Sequence, residues 1–302
     1  MFSRRFVLAV LSAVLLLVAG AGSTAAKKPS PAPSLGPSAP SADGERQLTP
    51  DEEAKAAAKL AAAEAYVSQA ARDGRDLVSL ACVTPTSVVT ATSVTAGATI
   101  DACAIPQGFL SVEARDQAKG TYCGPATGQV ISNYSWAAAS GKNRYAQTTI
   151  AGWMGTDANG RTDAPYLEAG LEKATAGSPR RPAGWDWVVI NLTDTDADGQ
   201  VADQLHAMIR SNISNSKMPL AIPVKPYDIG DAFHLSSWAR PVNSVGHWIA
   251  AYGWVGLWTG SDSSLLYYTD SSRDEGGSTG KFNDPLRHIA QMIMDHTRRL
   301  VW

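Results

Sequence analysis

Two side chains in this sequence have the types and local contexts of a nucleophile and a base. Cys123 lies in the segment Tyr-Cys-Gly-Pro-Ala, and His247 lies in the segment Val-Gly-His-Trp-Ile-Ala. Glycine permits close backbone approach, and proline suits the first turn of a helix, where its missing N–H costs nothing. We therefore expect Cys123 at the start of a helix, where free N–H groups and the helix dipole favour a thiolate. His247 follows a glycine into an apolar strand, a position from which it could deprotonate the thiol.

Two further residues supply the other groups that acyl transfer needs. Asp270 ends an apolar run that is the next predicted strand after that of His247. A carboxylate there can accept a bond from the imidazole and fix its tautomer. Gln117 lies six residues before Cys123. Its amide and the Cys123 backbone N–H would give two donors to a developing oxyanion.

Simpler explanations exist for each residue, because a single Cys or His is commonly structural and Asp270 precedes two serines, as a turn residue does. His234, in a loop-like stretch, is the competing base. His206 falls on a predicted helix, and His288 and His296 fall in a C-terminal segment that we interpret as polar. Asp262 and Asp274 are weaker substitutes for Asp270, since neither ends an apolar strand.

The three cysteines, Cys82, Cys103 and Cys123, bear on which thiol is free. Disulfides persist in exported proteins, and an odd count leaves at least one thiol unpaired or bonded to another chain. A Cys82–Cys103 bridge would close the Thr-, Val- and Ser-rich segment between them and leave Cys123 free. A Cys103–Cys123 bridge is the alternative, because connectivity cannot be deduced from sequence.

Export itself is predicted from residues 1–26. Arg4 and Arg5 precede the apolar run Phe6–Val18, which is followed by small residues of a cleavage site. That run is too short to span a bilayer comfortably, so a removed signal peptide and a secreted, extracellular protein without a membrane partner are expected. The 302 residues carry a net charge of -2, which gives no indication of nucleic-acid binding.

Four regions follow from composition and pattern. After the signal peptide, residues 27–48 form a Pro-, Ser- and Ala-rich linker. Residues 49–104 contain a helix, begun by a Thr49, Pro50 and Glu52 capping box and ending near Arg72, and the β-like segment closed by the disulfide. Residues 105–302 form one domain.

Within that domain helices precede strands, which predicts an α+β fold with a helical part packed on an antiparallel sheet. The predicted helices are Gly124–Tyr134, Tyr145–Trp153, Pro165–Ala174 and Val201–Asn212. The predicted strands are Trp185–Leu192, Pro219–Val224, Trp248–Val255 and Leu265–Thr269.

These motifs together resemble the bacteriocin-processing (double-glycine) peptidases of the papain superfamily. The resemblance rests on Gln117-x5-Cys123-Gly-Pro-Ala, Gly-His247-Trp and Tyr-Thr-Asp270, in that order, and covers about residues 107 to 272. It implies a papain-like fold, with Cys123 as nucleophile, His247 as base, Asp270 as orienting residue and Gln117 as oxyanion donor. The sequence departs from the family at Tyr122 and Ser271, where Asp and Pro are common.

A secreted bacterial cysteine peptidase, acting as a monomer without a cofactor on a peptide or protein, is the resulting expectation. Because a fold does not set its substrate, an amidase or acyl transferase acting on cell-wall peptides is an alternative, as is a non-catalytic extracellular binding module. Trp153, Trp238, Trp248 and Trp254 are candidates to line its cleft. Asp194, Asp196 and Asp198 match the opening of a calcium loop, but its twelfth position is Leu205 rather than glutamate.

Overall fold

The computed structural model describes residues 46–73, 105–156, 161–192, 200–226, 233–239, 246–258, 262–272 and 277–302. Several predictions lie outside these residues: the signal peptide, the linker up to residue 45, the Cys82–Cys103 bridge, the Asp194–Asp198 loop, and Asp274. Among the described helices, none combines the length and apolar character needed to cross a membrane.

Seven strands of the described residues form one antiparallel sheet, in the order β2-β7-β3-β4-β5-β6, with β1 also paired to β4. They are β1 Gln107–Phe109, β2 Val189–Asn191, β3 Leu220–Val224, β4 His247–Val255, β5 Leu265–Asp270, β6 Gly280–Pro285 and β7 Arg299–Val301. Strand β4 has neighbours on both sides and helices packed on it, so its apolar residues Ile249, Ala250 and Ala251 are fully buried. The predicted α+β class with an antiparallel sheet is confirmed.

Six α-helices of the described residues contact one another and the sheet. They are α1 Pro50–Arg72, α2 Cys123–Ser135, α3 Gln147–Trp153, α4 Ala164–Thr175, α5 Gln200–Arg210 and α6 Leu286–Met294. Helices α2, α3 and α4 pack together, with α2 on β4 and α4 on β7. Helices α5 and α6 pack together, and α6 also contacts β3, β5 and β6.

Helix α1 begins as its sequence predicts. The Thr49 hydroxyl accepts from the Glu52 N–H at 3.3 Å, and the Glu52 carboxylate accepts from the Thr49 N–H at 2.7 Å. The helix lies on α5 and β2. It buries alanines spaced seven residues apart, Ala56, Ala63 and Ala70, because two helical turns bring such residues to one face.

The C-terminal segment corrects the sequence interpretation, which took it as polar. It forms β6, α6 and β7, and His288 lies within α6. The residues Leu286, Ile289 and Ile293 of α6 are almost fully buried, at the spacing of one apolar helical face. The sequence contains this apolar spacing, but the polar residues between the apolar ones led to the interpretation of the whole segment as polar.

A second correction concerns the helix predicted to run to Asn212. Helix α5 ends at Arg210 and continues as a π-helix, Ser211–Ser216, that ends at Lys217 with a φ of 55°. The Tyr134 hydroxyl donates to the Lys217 carbonyl at 2.8 Å, which ties this irregular turn to α2. Helix propensity alone does not reveal such a change of register.

Candidate active site

Cys123 is the first residue of α2, as the sequence predicts, and it carries a free thiol. The backbone N–H groups of Trp248 and Gly124 act to lower the pKa of this thiol. Gly124 is required by packing, because a Cβ atom there would lie 2.7 Å from the Cβ atom of Thr162. The other partner of the alternative bridge, Cys103, lies outside the described residues.

Strand β4 brings its first residue, His247, to the thiol. The Thr127 hydroxyl of α2 donates to the Trp248 carbonyl at 3.0 Å, and the Trp248 indole N–H donates to the Thr162 carbonyl at 2.9 Å. The first bond holds the start of β4 against α2, and the second holds it against the residues before α4. The His247 imidazole is thereby brought close enough to the Cys123 thiol to lower the pKa of that thiol.

Asp270 meets the same imidazole because β4 and β5 are antiparallel. The first residue of β4 and the last residue of β5 therefore lie at one edge of the sheet. The His247 Nε2 atom and the Asp270 Oδ1 atom are 2.7 Å apart, and both side chains are buried. Since Nε2 faces Asp270, Nδ1 is the ring nitrogen left for the thiol.

Three further donors surround the Asp270 carboxylate. Oδ1 accepts the Ser272 N–H at 2.8 Å, and Oδ2 accepts the Ser237 hydroxyl at 2.6 Å and the Trp238 indole N–H at 3.0 Å. Burial acts to raise the pKa of Asp270, but the charge and hydrogen bond of His247, with the bonds of Ser237 and Ser272, hold it below its usual value. The carboxyl group is therefore ionised in the folded protein at neutral pH.

Electrostatics at the thiol and imidazole favour charge separation. Burial raises the pKa of Cys123, yet the hydrogen bond and charge of His247, with the backbone N–H groups of Trp248 and Gly124, bring it below the ordinary value of 9.0. Burial lowers the pKa of His247, but Asp270 and the Cys123 sulfur raise it above the ordinary 6.5. A thiolate facing an imidazolium is the state that this geometry stabilises.

Gln117 is held beside the site. Its backbone N–H donates to the Ser271 carbonyl at 3.0 Å, which places it against the residue that follows Asp270. Its side chain is buried, and Nε2 donates to the Gly120 carbonyl at 2.6 Å. One N–H of the amide is thereby used, so the predicted oxyanion role depends on the second N–H.

The competing residues do not meet the thiol–imidazole pair. His234 is exposed to solvent, and Asp262 forms a two-bond ion pair with Arg287 at 2.9 and 3.0 Å. Of the aromatic residues predicted to line a cleft, Trp238 donates its indole N–H to Asp270, whereas Trp248 donates its indole N–H to the Thr162 carbonyl. Trp254 instead donates to Ser214 on the π-helix.

Sequence reasoning missed two contributors, Ser237 and His296. The Ser237 hydroxyl bonds Asp270, although nothing in its surrounding sequence marks it as a site residue. The His296 ring packs against the backbone of Gly246, where a Cβ atom would clash with it. Burial, Lys225, Arg161 and His247 lower the pKa of His296 to about 4, so this ring is neutral beside the imidazolium.

Searches of the chain against models of protein families and against curated proteins found no match.

Proposed function

We propose that the protein is a secreted cysteine peptidase with a papain-like fold, in which Cys123, His247 and Asp270 form the catalytic triad. The observation that supports it most is the unbroken chain from a free thiol, at a helix start, through the imidazole to a buried carboxylate 2.7 Å away. A helix bearing the thiol on an antiparallel sheet that bears the other two residues is also the arrangement that the papain-like resemblance implies.

In the proposed reaction, the Cys123 thiolate attacks the carbonyl carbon of a peptide bond. The negative charge moves to the carbonyl oxygen, where the Cys123 N–H and the Gln117 amide stabilise it. The His247 imidazolium then donates its proton to the leaving amine as the C–N bond breaks, which leaves a thioester on Cys123.

Water completes the cycle. The now neutral His247 removes a proton from a water molecule, whose oxygen attacks the thioester carbonyl carbon. The C–S bond then breaks, which releases the acid product and restores the Cys123 thiolate beside the imidazolium. Asp270 keeps the ring in one tautomer through both steps and stabilises its charged form, without itself taking a proton.

The mechanism is tested by replacing Cys123. In Cys123→Ala the fold should persist, and hydrolysis of a denatured protein such as casein should fall to background, by a factor of at least about 10⁴. His234→Ala is the matched control for His247→Ala, because it removes the competing imidazole. Full activity in Cys123→Ala, or a loss in the His234 variant equal to that in the His247 variant, would refute the assignment.

Two other functions remain as alternatives. An amidase or acyl transferase acting on cell-wall peptides would use the same residues, and activity on purified cell wall but not on casein would identify it. A binding module would need no ionised thiol. The charge-stabilising contacts around Cys123 and His247 favour an enzyme over a binding module.

A further inference from the structure

A second buried carboxylate is connected to the proposed triad through hydroxyl groups. Asp284, on β6, is only 7% exposed, and its Oδ2 atom accepts the Tyr268 hydroxyl at 2.6 Å and the Ser236 backbone N–H at 3.0 Å. Both donors are neutral groups. A buried carboxylate is costly, so a position that keeps one needs an explanation.

The two donors lead from Asp284 towards Asp270. Residues Leu266 and Asp284 are paired between β5 and β6, so the alternation of side chains puts Tyr268 and Asp270 on the same face as Asp284. The Tyr268 hydroxyl lies 3.3 Å from the Ser237 hydroxyl, which donates to Asp270 at 2.6 Å. Since Tyr268 gives its proton to Asp284, the Ser237 proton is left for Asp270.

The second donor, Ser236, belongs to the short segment Leu235–Trp238. This segment supplies two of the four donors to Asp270, from Ser237 and Trp238. The Trp238 ring also packs edge-on against the His247 ring, with centroids 5.4 Å apart. The bond from Ser236 to Asp284 therefore holds in place the two donors to Asp270 and the ring that packs against His247.

We infer that Asp284 is a positioning residue, which holds the segment Leu235–Trp238 and the Tyr268 hydroxyl so that Asp270 is bonded by Ser237 and Trp238. This inference rests on the proposed function, since it assigns Asp284 a task within the same triad. The hydrogen bonds of Asp284 go to Tyr268 and Ser236 rather than to the thiol or the imidazole, so it acts through the segment.

The test compares Asp284→Ala with Asp284→Asn. Alanine removes the acceptor of both donors, and a shift of the segment should lower kcat by about 10- to 100-fold with little change in KM. Asparagine keeps an oxygen that can accept both bonds, so it should restore most of the loss. Asp262→Ala is the matched control, because it removes a carboxylate that pairs with Arg287 at the other end of β5.

A readout that needs no substrate separates this inference from the proposed function. The rate of Cys123 alkylation by iodoacetamide is followed against pH, and we expect Asp284→Ala to move the acid limb to higher pH, because a loosened Asp270 stabilises the imidazolium less. If wild-type Cys123 is inert near neutral pH, the proposed function fails. If the wild type is reactive and Asp284→Ala matches it in both kcat and profile, only the inference on Asp284 fails.

Tyr268→Phe keeps the experiment decisive if Asp284→Ala does not fold. It removes the hydroxyl that Asp284 orients and leaves the bond from Ser236 in place. We expect the acid limb to move in the same direction by a smaller amount, with a loss of kcat of a few-fold. A folded Tyr268→Phe protein with the wild-type profile and kcat would overturn the inference.

Discussion

Charged side chains that are partly or fully buried occur in two regions of this protein, and the loss of solvent has opposite outcomes in them. On helix α1, Lys59 donates to the main-chain oxygen atoms of Asp186 and Trp302 at 2.8 and 2.6 Å, and its Nζ atom lies 3.8 Å from the centroid of the Trp185 ring. Burial lowers the pKa of Lys59 well below 10.5, despite acidic residues nearby. Burial and the neighbouring Glu172 and Glu52 raise the pKa of Glu168, on α4, to about 7. Both groups move towards their neutral forms.

At the candidate active site the same burial is overcome. Asp270 and the Cys123 sulfur raise the pKa of His247, and His247 lowers the pKa values of both partners. Main-chain oxygen atoms and aromatic rings contact the Lys59 ammonium. Such contacts stabilise a positive charge less than the direct contact of a carboxylate does, as at His247. The difference indicates that Cys123, His247 and Asp270 favour their ionised forms because oppositely charged groups contact one another directly.

Removing the Asp270 charge should shift His247 towards its neutral form, as the loss of solvent does for the charged groups of the α1 region. In Asp270→Asn the imidazole loses its charged partner and its tautomer is no longer fixed, so we expect kcat to fall by about 10³- to 10⁴-fold. Steady-state kinetics on the substrate found for the wild type measure this. Asp262→Asn, the same change in an exposed ion pair, should retain activity, and equal losses in the two variants would contradict the account.

Loss of the neutral Gln117 donor should lower kcat less than loss of the Asp270 charge does. Gln117→Ala removes the proposed side-chain donor to the oxyanion, and we expect kcat to fall by about 10²-fold while KM changes little. Gln117→Glu tests whether the loss concerns the donor, because glutamate keeps the size but cannot donate when ionised. An active Gln117→Glu variant would show that this side chain only supports the loop.

On the α1 side, Glu168 should make stability depend on pH. Its pKa is raised from 4.5 to about 7 in the folded protein, so its favourable contribution is complete below 4.5 and is lost as the pH rises to about 7. Glu168→Gln should remove this dependence and stabilise the protein by about 2 kcal/mol at pH 8. Urea unfolding at pH 4.5 and 8 measures it, and parallel curves for the two proteins would contradict the prediction.

The smallest effect is expected at Lys59. Lys59→Met keeps the length of the side chain against the Trp185 and Trp302 rings and removes a buried cation, so the free energy of unfolding at pH 7 should change by about 1 kcal/mol or less. Because the folded-state pKa is below 10.5, wild-type stability should rise with pH up to that value, and Lys59→Met should lack this rise. A large loss of the proposed peptidase activity in Lys59→Met would contradict the separation of the two regions.

Local sequence rules predicted the elements whose signals are short in range. The capping box of Thr49 and Glu52, the helix start at Cys123 and the strand beginning near His247 all depend on neighbouring residues, and all are present. Spacing and chain order also predicted the carboxylate at the end of β5. Antiparallel pairing of consecutive strands then brings Asp270 to His247 without any long-range assumption.

Long-range contacts explain what sequence reasoning missed. Strand β7 has three residues and is defined by its pairing with β2 and β3, so no local periodicity reveals it. Ser237 and Trp238 reach Asp270 across 33 and 32 residues, and their positions depend on Asp284 through Ser236. Such bonds are set by tertiary packing, which a pattern of residue types along the chain does not encode.

The ionisation of Cys123 is the most direct test of the central claim. The ultraviolet absorbance of the thiolate is titrated in the wild type, and the titration of Cys123→Ala is subtracted so that only this sulfur contributes. We predict a thiolate that persists well below pH 9.0, the ordinary pKa of a thiol, and a His247→Ala variant whose thiolate forms only at higher pH. A wild-type thiol that titrates at or above pH 9.0, or a titration unchanged by the loss of His247, would contradict the account.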